Sequence, residues 1–279
     1  MHHYSHHGMT FPVTDTGPDV ADNAHSVVLL HGFPENRASW QDVSAGVNRA
    51  AFRTLAPDLR GLPEGARPRR RRDYRVERLV EDVEALLDAA GLASAHLVGH
   101  DWGGGIAWEV ALRRPERVLS LTVLSTPHPS ALLWSMMRSA QLLRSWYMLA
   151  LQVPLLPEAL FAWGLRRDGL RSLDLPERYR LAFEEQLRRP GAITGAIAPY
   201  RAMLLWPSPL RTRSRVDVEV PTTYVWSRRD PYLGPQAARR TAHYCTGPFR
   251  FIEVDADHWL PEKEPGLVVD AILQRIRGS

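Results

Sequence analysis

The segment His96-Leu97-Val98-Gly99-His100-Asp101-Trp102-Gly103 constrains this chain more than any other. A strand over His96–Val98 runs through a glycine-rich turn straight into a helix expected from about Trp102 to Arg114, which Pro115 ends. One glycine stands two residues before Asp101 and another two residues after it. Flanking glycines let neighbouring backbone approach closely, so the turn can hold one side chain in a strained, exposed position. An Asp that opens a helix is otherwise an ordinary N-cap, so the rest of the chain has to decide between the two readings.

The alternation of strand and helix recurs along the chain. Val27–Leu30, Arg53–Ala56, Leu119–Leu124, Thr222–Trp226 and Phe249–Val254 read as strands. Leu79, Val80, Val83, Leu86 and Leu87 recur at helical spacing with Glu77, Glu81 and Glu84 outside, Gly91 supplies a stop, and Leu267–Ile276 reads as a closing helix. Strands alternating with helices predict an α/β fold, a mostly parallel sheet flanked by helices on both faces. Residues 128–213 break the pattern. They hold no convincing strand, are rich in Leu, Trp, Met and Arg, and are interrupted by Pro154, Pro157, Pro176, Pro190, Pro199, Pro207 and Pro209. A helical lid is expected there, over the carboxyl ends of the strands, where open α/β sheets bind ligands. The organisation is then a tail with weakly read first strands over 1–24, a first core part over 25–127, the lid over 128–213 and a second core part over 214–279.

A chain of 279 residues suits one large domain carrying an insertion, and 44% apolar with 24% charged residues is the balance of a globular protein. The single cysteine, Cys245, excludes an intrachain disulfide and has no partner chemistry nearby in sequence. No apolar run approaches the ~18 residues of a membrane span. The start, MHHYSHHGMT, lacks the basic and apolar stretches of a secretory signal, so a cytoplasmic protein is expected. The net charge of +4 is carried almost wholly by arginine, with Lys263 the exception. Arg69–Arg72 has no interleaved aromatics and is followed by Asp73, Glu77, Glu81 and Asp82, which reads as a solvated loop and not as a nucleic-acid contact. His2, His3, His6 and His7 have the look of a metal-binding tract, but nothing in the sequence fixes their geometry, and a disordered tail is expected.

Three further features give Asp101 a context. His31-Gly32-Phe33-Pro34-Glu35 follows a strand, Asp230 lies at the end of Thr222–Trp226, and His258 lies just beyond Phe249–Val254. Gly99-His100-Asp101-Trp102-Gly103 is a nucleophile-elbow pattern with Asp in the usual Ser position, and the chain order Asp101, Asp230, His258 is the nucleophile–acid–histidine order of α/β-hydrolases. In that arrangement Phe33 and Trp102 supply the backbone N–H groups of an oxyanion hole. Each residue alone has a plain structural reading; all of them in order at strand ends are hard to obtain by accident.

From about residue 25 onward the chain closely resembles the epoxide hydrolases of the α/β-hydrolase fold. His31-Gly32-Phe33-Pro34-Glu35, Ala56-Pro57-Asp58-Leu59-Arg60-Gly61, Gly99-His100-Asp101-Trp102-Gly103-Gly104 and His258-Trp259-Leu260-Pro261-Glu262-Lys263-Glu264-Pro265 carry the likeness. The resemblance implies two lid tyrosines that hydrogen-bond an epoxide oxygen. Ser145-Trp146-Tyr147, followed by Gln152 and Pro154, is similar to the context of the first, and Pro199-Tyr200-Arg201 to that of the second. It further implies Asp101 as nucleophile, His258 as base for water, Asp230 as its orienting acid, and Phe33, Trp102 and Trp259 against the substrate. The substrate would be a small apolar epoxide, consumed with water, with no metal or organic cofactor. Trp134, Met136, Met137, Trp163, Met203, Leu204 and Trp206 are candidates for an apolar pocket, and an exposed apolar lid could pair two copies into a homodimer.

Two other readings stay open at this point. A dehalogenase of the same fold uses the same Asp–His–Asp logic, but haloalkane dehalogenases usually have Asn where Phe33 stands, and fluoroacetate-type enzymes usually have Arg where Trp102 stands. A non-catalytic binding protein on this fold would be free to lose a triad member, and none is missing. An esterase is disfavoured because no serine occupies the elbow.

Overall fold

The computed structural model describes residues 1–18, 23–205 and 217–278. Its eight strands are β1 (His3–His6), β2 (Met9–Thr16), β3 (Ser26–Leu30), β4 (Arg53–Pro57), β5 (Ala95–His100), β6 (Val118–Leu124), β7 (Thr222–Ser227) and β8 (Phe249–Val254). They form one sheet in the order β1-β2-β4-β3-β5-β6-β7-β8. β1 and β2 pair antiparallel, as do β2 and β4, and every later pairing is parallel.

Parallel strands buried on both faces need apolar residues at successive positions, and β3 shows why its run reads as continuous. Val28 and Leu30 face the cluster built with α2 (Val76–Ala89) and α3 (Trp102–Arg113), whereas Val27 and Leu29 face the cluster built with α1 (Gln41–Arg49) and α12 (Pro265–Arg277). Gly91, at φ +71°, ends α2 in the left-handed conformation, and Leu92 N–H returns to the Leu87 carbonyl at 2.9 Å. The Arg69–Arg72 run is exposed, as a solvated loop should be.

The N-terminus departs from the expected tail. Residues 3–16 fold into the β1–β2 hairpin, turned by His7 and Gly8 at φ +48° and +72°. Tyr4 and Phe11 stack at 4.8 Å between ring centroids, and His6 Nδ1 lies 2.7 Å from Asp82 Oδ1 on α2. Only Tyr4, Phe11 and Val13 are buried here, too few and too widely spaced to read as strands from sequence. What they pack against comes from distant parts of the chain.

Between β6 and β7 the described lid residues form helices and no strand: α4 (Pro129–Arg138), α5 (Gln141–Arg144), α6 (Trp146–Ala150), α7 (Leu156–Arg167), α8 (Glu177–Leu187) and α9 (Ala192–Leu205). Pro199 does not interrupt it, because α9 continues through Pro199. The carbonyl four residues back belongs to Gly195, which sits against Gly61 so closely that neither glycine could carry a Cβ. Pro207, Pro209, Trp206 and the expected lid boundary at Arg213 lie outside the described residues. Two short helices, α10 (Pro235–Arg240) and α11 (Leu260–Lys263), complete the second core part. Among the described residues no helix is long and apolar enough to cross a membrane.

One ion pair ties the loop after β4 to α2. Arg60 Nε and Nη2 donate to the two oxygens of Asp82 at 2.7 and 2.6 Å, and both side chains are buried. Removing one partner of a buried pair strands the other charge. Arg60→Ala should cost about 3–5 kcal/mol of stability in urea unfolding. A loss below about 1 kcal/mol would mean that water solvates Asp82 in place of Arg60.

Candidate active site

The catalytic candidates converge at the carboxyl end of the parallel strands. β5 is central, with Gly99 beside Leu30 of β3 on one side and Val123 of β6 on the other. The chain leaves β5 through Asp101, whose φ of +48° and ψ of −117° are not those of a relaxed side-chain-bearing residue. The glycines permit this. A Cβ on Gly103 would overlap the Leu30 carbonyl, one on Gly99 the Gly103 carbonyl, and one on Gly32 the Asp101 side chain itself. Gly103 N–H donates to the His31 carbonyl at 3.0 Å, and Thr126 Oγ1 donates to the Asp101 carbonyl at 2.7 Å, so the turn is tied to the loops that follow both neighbouring strands. Asp101 makes no side-chain cap hydrogen bond to α3, which removes the ordinary N-cap reading.

The two oxygens of Asp101 have different surroundings. Oδ1 accepts the Phe33 N–H at 2.9 Å. Oδ2 faces His258 Nε2 at 3.6 Å. Trp102 is the first residue of α3, so its N–H has no acceptor within the helix. On its far side His258 Nδ1 lies 2.7 Å from Asp230 Oδ2, and Asp230 Oδ1 accepts the N–H groups of Tyr232 and Leu233 at 2.8 and 3.0 Å. His258 and Asp230 are buried.

The lid brings Tyr147 from α6 and Tyr200 from α9 above this centre. Their rings meet edge to face at 6.1 Å between centroids. Tyr200 also meets Trp102 at 4.9 Å and Phe33 at 5.5 Å. Phe33, Trp102, Tyr147, Leu151, Phe161 and Ile197 belong to one apolar cluster with Tyr200. A small cavity of about 40 Å³ lies beside the site between the core and α9, lined by Phe33, Trp102, Leu62, Ile106 and Pro199 and not by Asp101, His258, Tyr147 or Tyr200.

Not every candidate belongs here. Met137 and Trp163 are exposed on the outer face of the lid, and Trp134 is taken up by the guanidinium groups of Arg138 and Arg240. The Leu204 side chain lies outside the described residues. Trp259 meets His258 at 5.1 Å between ring centroids, but it is buried in a cluster with Leu62, Leu165, Tyr179 and Phe183, where it packs the lid onto the core. Two neighbours carried no sequence signal of their own. Phe161 meets Phe33 edge to face at 5.5 Å, and Tyr232 stands between Tyr147 at 5.8 Å and His258 at 5.0 Å. Tyr232 follows Asp230 by two positions, a spacing that hints at proximity but not at orientation.

Comparison with known proteins settles the family. The family described as "alpha/beta hydrolase fold" matches residues 25–265. Human epoxide hydrolase 4 is 34% identical over 261 residues, covering 87% of this chain and 69% of the human protein. The AB hydrolase superfamily protein YfhM of Bacillus subtilis is 30% identical over 288 residues, covering 98% of this chain and 96% of its own. The crystal structure of epoxide hydrolase A from Mycobacterium thermoresistibile superposes with a TM-score of 0.83 at 25% identity, covering 99% of this chain and 97% of that one. The chain belongs to the α/β-hydrolase-fold epoxide hydrolase family.

Within this family member the charges are strongly coupled. Burial pulls the His258 imidazole down, but Asp230 and Asp101 together overcome it and hold the group well above its usual range. Burial pushes Asp101 up, yet the nearby His258 imidazole, the His100 side chain and the Phe33 N–H leave it below the ordinary carboxylate value. Burial, reinforced by the negative charge of Asp101, raises both Tyr147 and Tyr200, so both phenols stay protonated at neutral pH. Behind His258, His100 Nε2 lies 2.8 Å from the His258 carbonyl and His100 Nδ1 lies 2.8 Å from Glu35 Oε1. Burial and the Glu35 charge push the Glu262 carboxyl beside that pair well above its usual range.

A histidine whose pKa is raised on folding stabilises the fold below its unfolded value and loses that contribution as pH rises through the folded value. Asp230→Asn and Asp101→Asn should each lower the His258 pKa, read by NMR titration of the imidazole. An unchanged value in both variants would mean that neither carboxylate holds the proton.

Proposed function

We propose that this protein hydrolyses apolar epoxides to vicinal diols through an ester formed on Asp101. The observation that carries the reading is a carboxylate at the strained elbow, with one oxygen held by the Phe33 N–H at 2.9 Å, beneath two lid tyrosines whose phenols stay protonated. An ionised carboxylate needs no base to attack an sp³ carbon. Oδ2 forms the bond to the ring carbon, the carbon–oxygen bond of the epoxide breaks, and Tyr147 and Tyr200 stabilise the alkoxide, one of them giving it a proton.

Esterification neutralises Asp101 and so removes one of the two anions that hold His258 protonated. The imidazole pKa then falls, His258 passes its proton to the tyrosinate, and the neutral imidazole becomes a base for water while Asp230 keeps it oriented. Hydroxide adds to the Asp101 carboxyl carbon. Oδ1, already on the Phe33 N–H, carries the negative charge of the tetrahedral intermediate, with the Trp102 N–H as second donor. Collapse breaks the bond from that carbon to Oδ2, which leaves in the diol. One proton of the water returns His258 to its resting state, and the other, carried on the Asp101 carboxyl, neutralises the departing alkoxide. The similarity to human epoxide hydrolase 4 and to the Mycobacterium thermoresistibile structure supports this substrate class.

A single turnover of excess enzyme on an aryl or alkyl epoxide in ¹⁸O-water should release diol without label, since its new oxygen comes from Asp101. His258→Gln should accumulate protein heavier by the mass of the epoxide. Each of Tyr147→Phe and Tyr200→Phe should slow formation of that adduct, by about tenfold or more if a single hydrogen bond of ~1.5–3 kcal/mol to the developing charge is lost. Labelled first-turnover diol without any adduct would overturn the ester, and release of halide from a haloalkane in place of diol from the epoxide would move the substrate class. The lid also exposes Leu133, Leu143, Trp146, Leu149 and Leu155, and we propose that a second copy of the chain covers this face. Light scattering after gel filtration should then give twice the chain mass; a monomer would refute the pairing.

A further inference from the structure

We propose that His6, His7 and Glu81 form a zinc site that clamps the β1–β2 turn to α2. The site lies outside the catalytic centre, and the reading does not depend on the reaction assigned there. One ligand atom from each of the three side chains lies within 4.8 Å of the others. His7 Nε2 and Glu81 Oε2 are 3.7 Å apart. Ligands at ~2.1 Å from a tetrahedral zinc ion lie ~3.4 Å from one another, so those two atoms need to close by only a few tenths of an ångström.

The turn geometry supplies the convergence. Register pairs His6 with Met9, so His7 and Gly8 form a two-residue hairpin loop with both residues at positive φ. Histidine tolerates that region better than most side chains, and the turn brings the His6 and His7 rings to 4.1 Å between centroids. His6 Nδ1 lies 2.7 Å from Asp82 Oδ1, and Asp82 in turn accepts from the Arg60 guanidinium. A carboxylate on Nδ1–H leaves Nε2 with its lone pair and fixes the ring, which is the outer-shell support that metal-ligating histidines usually have. Two imidazoles and one carboxylate form a donor set for zinc and its borderline neighbours, and not for calcium or magnesium.

The same two atoms already attract a cation. Arg78 Nη1 donates to Glu81 Oε2 at 2.6 Å and lies 3.4 Å from His7 Nε2. The Arg78 guanidinium therefore competes for the position a metal ion would take, and its half-exposed side chain can swing into solvent when the ion arrives. Zinc in place of Arg78 would join the hairpin to α2 through two imidazoles and a carboxylate.

The test is calorimetric titration of the full, tag-free chain with zinc chloride, together with thermal melting. The expected result is one zinc per chain and a higher melting temperature with zinc. His7→Asn keeps a residue suited to the turn, and Glu81→Gln keeps the volume; each should weaken zinc binding at least tenfold. Arg78→Gln should tighten it, because the competing cation is gone. No zinc binding by the unaltered chain would overturn the proposal. So would binding that survives His7→Asn and Glu81→Gln, which would put the ion on His2 and His3, or an affinity indifferent to Arg78→Gln.

Discussion

The backbone of Asp101 is the constraint on which the site depends. Its φ and ψ lie outside the relaxed regions, a cost of order 1–3 kcal/mol that persists only where the surroundings over-determine the conformation. Here they do. Gly99, Gly103 and Gly32 leave no room for side chains, and hydrogen bonds from Thr126 and Gly103 anchor the turn to the flanking loops. The result is a carboxylate raised from the sheet edge instead of folded back onto the helix N-terminus. Every other functional group is placed relative to it.

The second organising element is one imidazole set between two carboxylates. Asp230 is committed, with one oxygen on His258 and the other on two backbone N–H groups. Asp101 is not, because its Oδ2 stands 3.6 Å from His258, close enough for charge but loose enough to leave. That asymmetry leaves Asp230 fixed on both sides and Asp101 with one oxygen only loosely engaged. The buried Glu35–His100 pair lies behind His258, with the buried Glu262 beside it.

The core and the placing of Asp101, Asp230 and His258 after strands were legible because they are written locally. A doubly buried strand such as β3 needs consecutive apolar residues, an elbow needs glycines at fixed offsets, and the residues that follow parallel strands fall at one edge of the sheet. The hairpin of residues 3–16 was not legible. Its order comes from Tyr4, Phe11 and Val13 packing with distant apolar residues and from His6 meeting Asp82, contacts that no window of sequence contains. Lid side chains were legible as apolar but not as inward or outward. Met137 and Trp163 turned out exposed, while Phe161 and Tyr232 took places beside the site. Pro199 was misread as an interruption, since a proline's effect depends on what surrounds the carbonyl four residues earlier.

What the sequence determined by itself is the set of chemical groups and their order along the chain: an aspartate at an elbow, then an acid, then a histidine, each after a strand. Local pattern suffices for that, because strand, turn and helix depend on neighbours a few residues away. Tertiary structure alone decided which Asp101 oxygen meets His258 and which meets Phe33, which lid rings close over them, and that His6 and His7 face Glu81. Those outcomes depend on distances between groups far apart in sequence, and such distances exist only once the sheet and lid have packed.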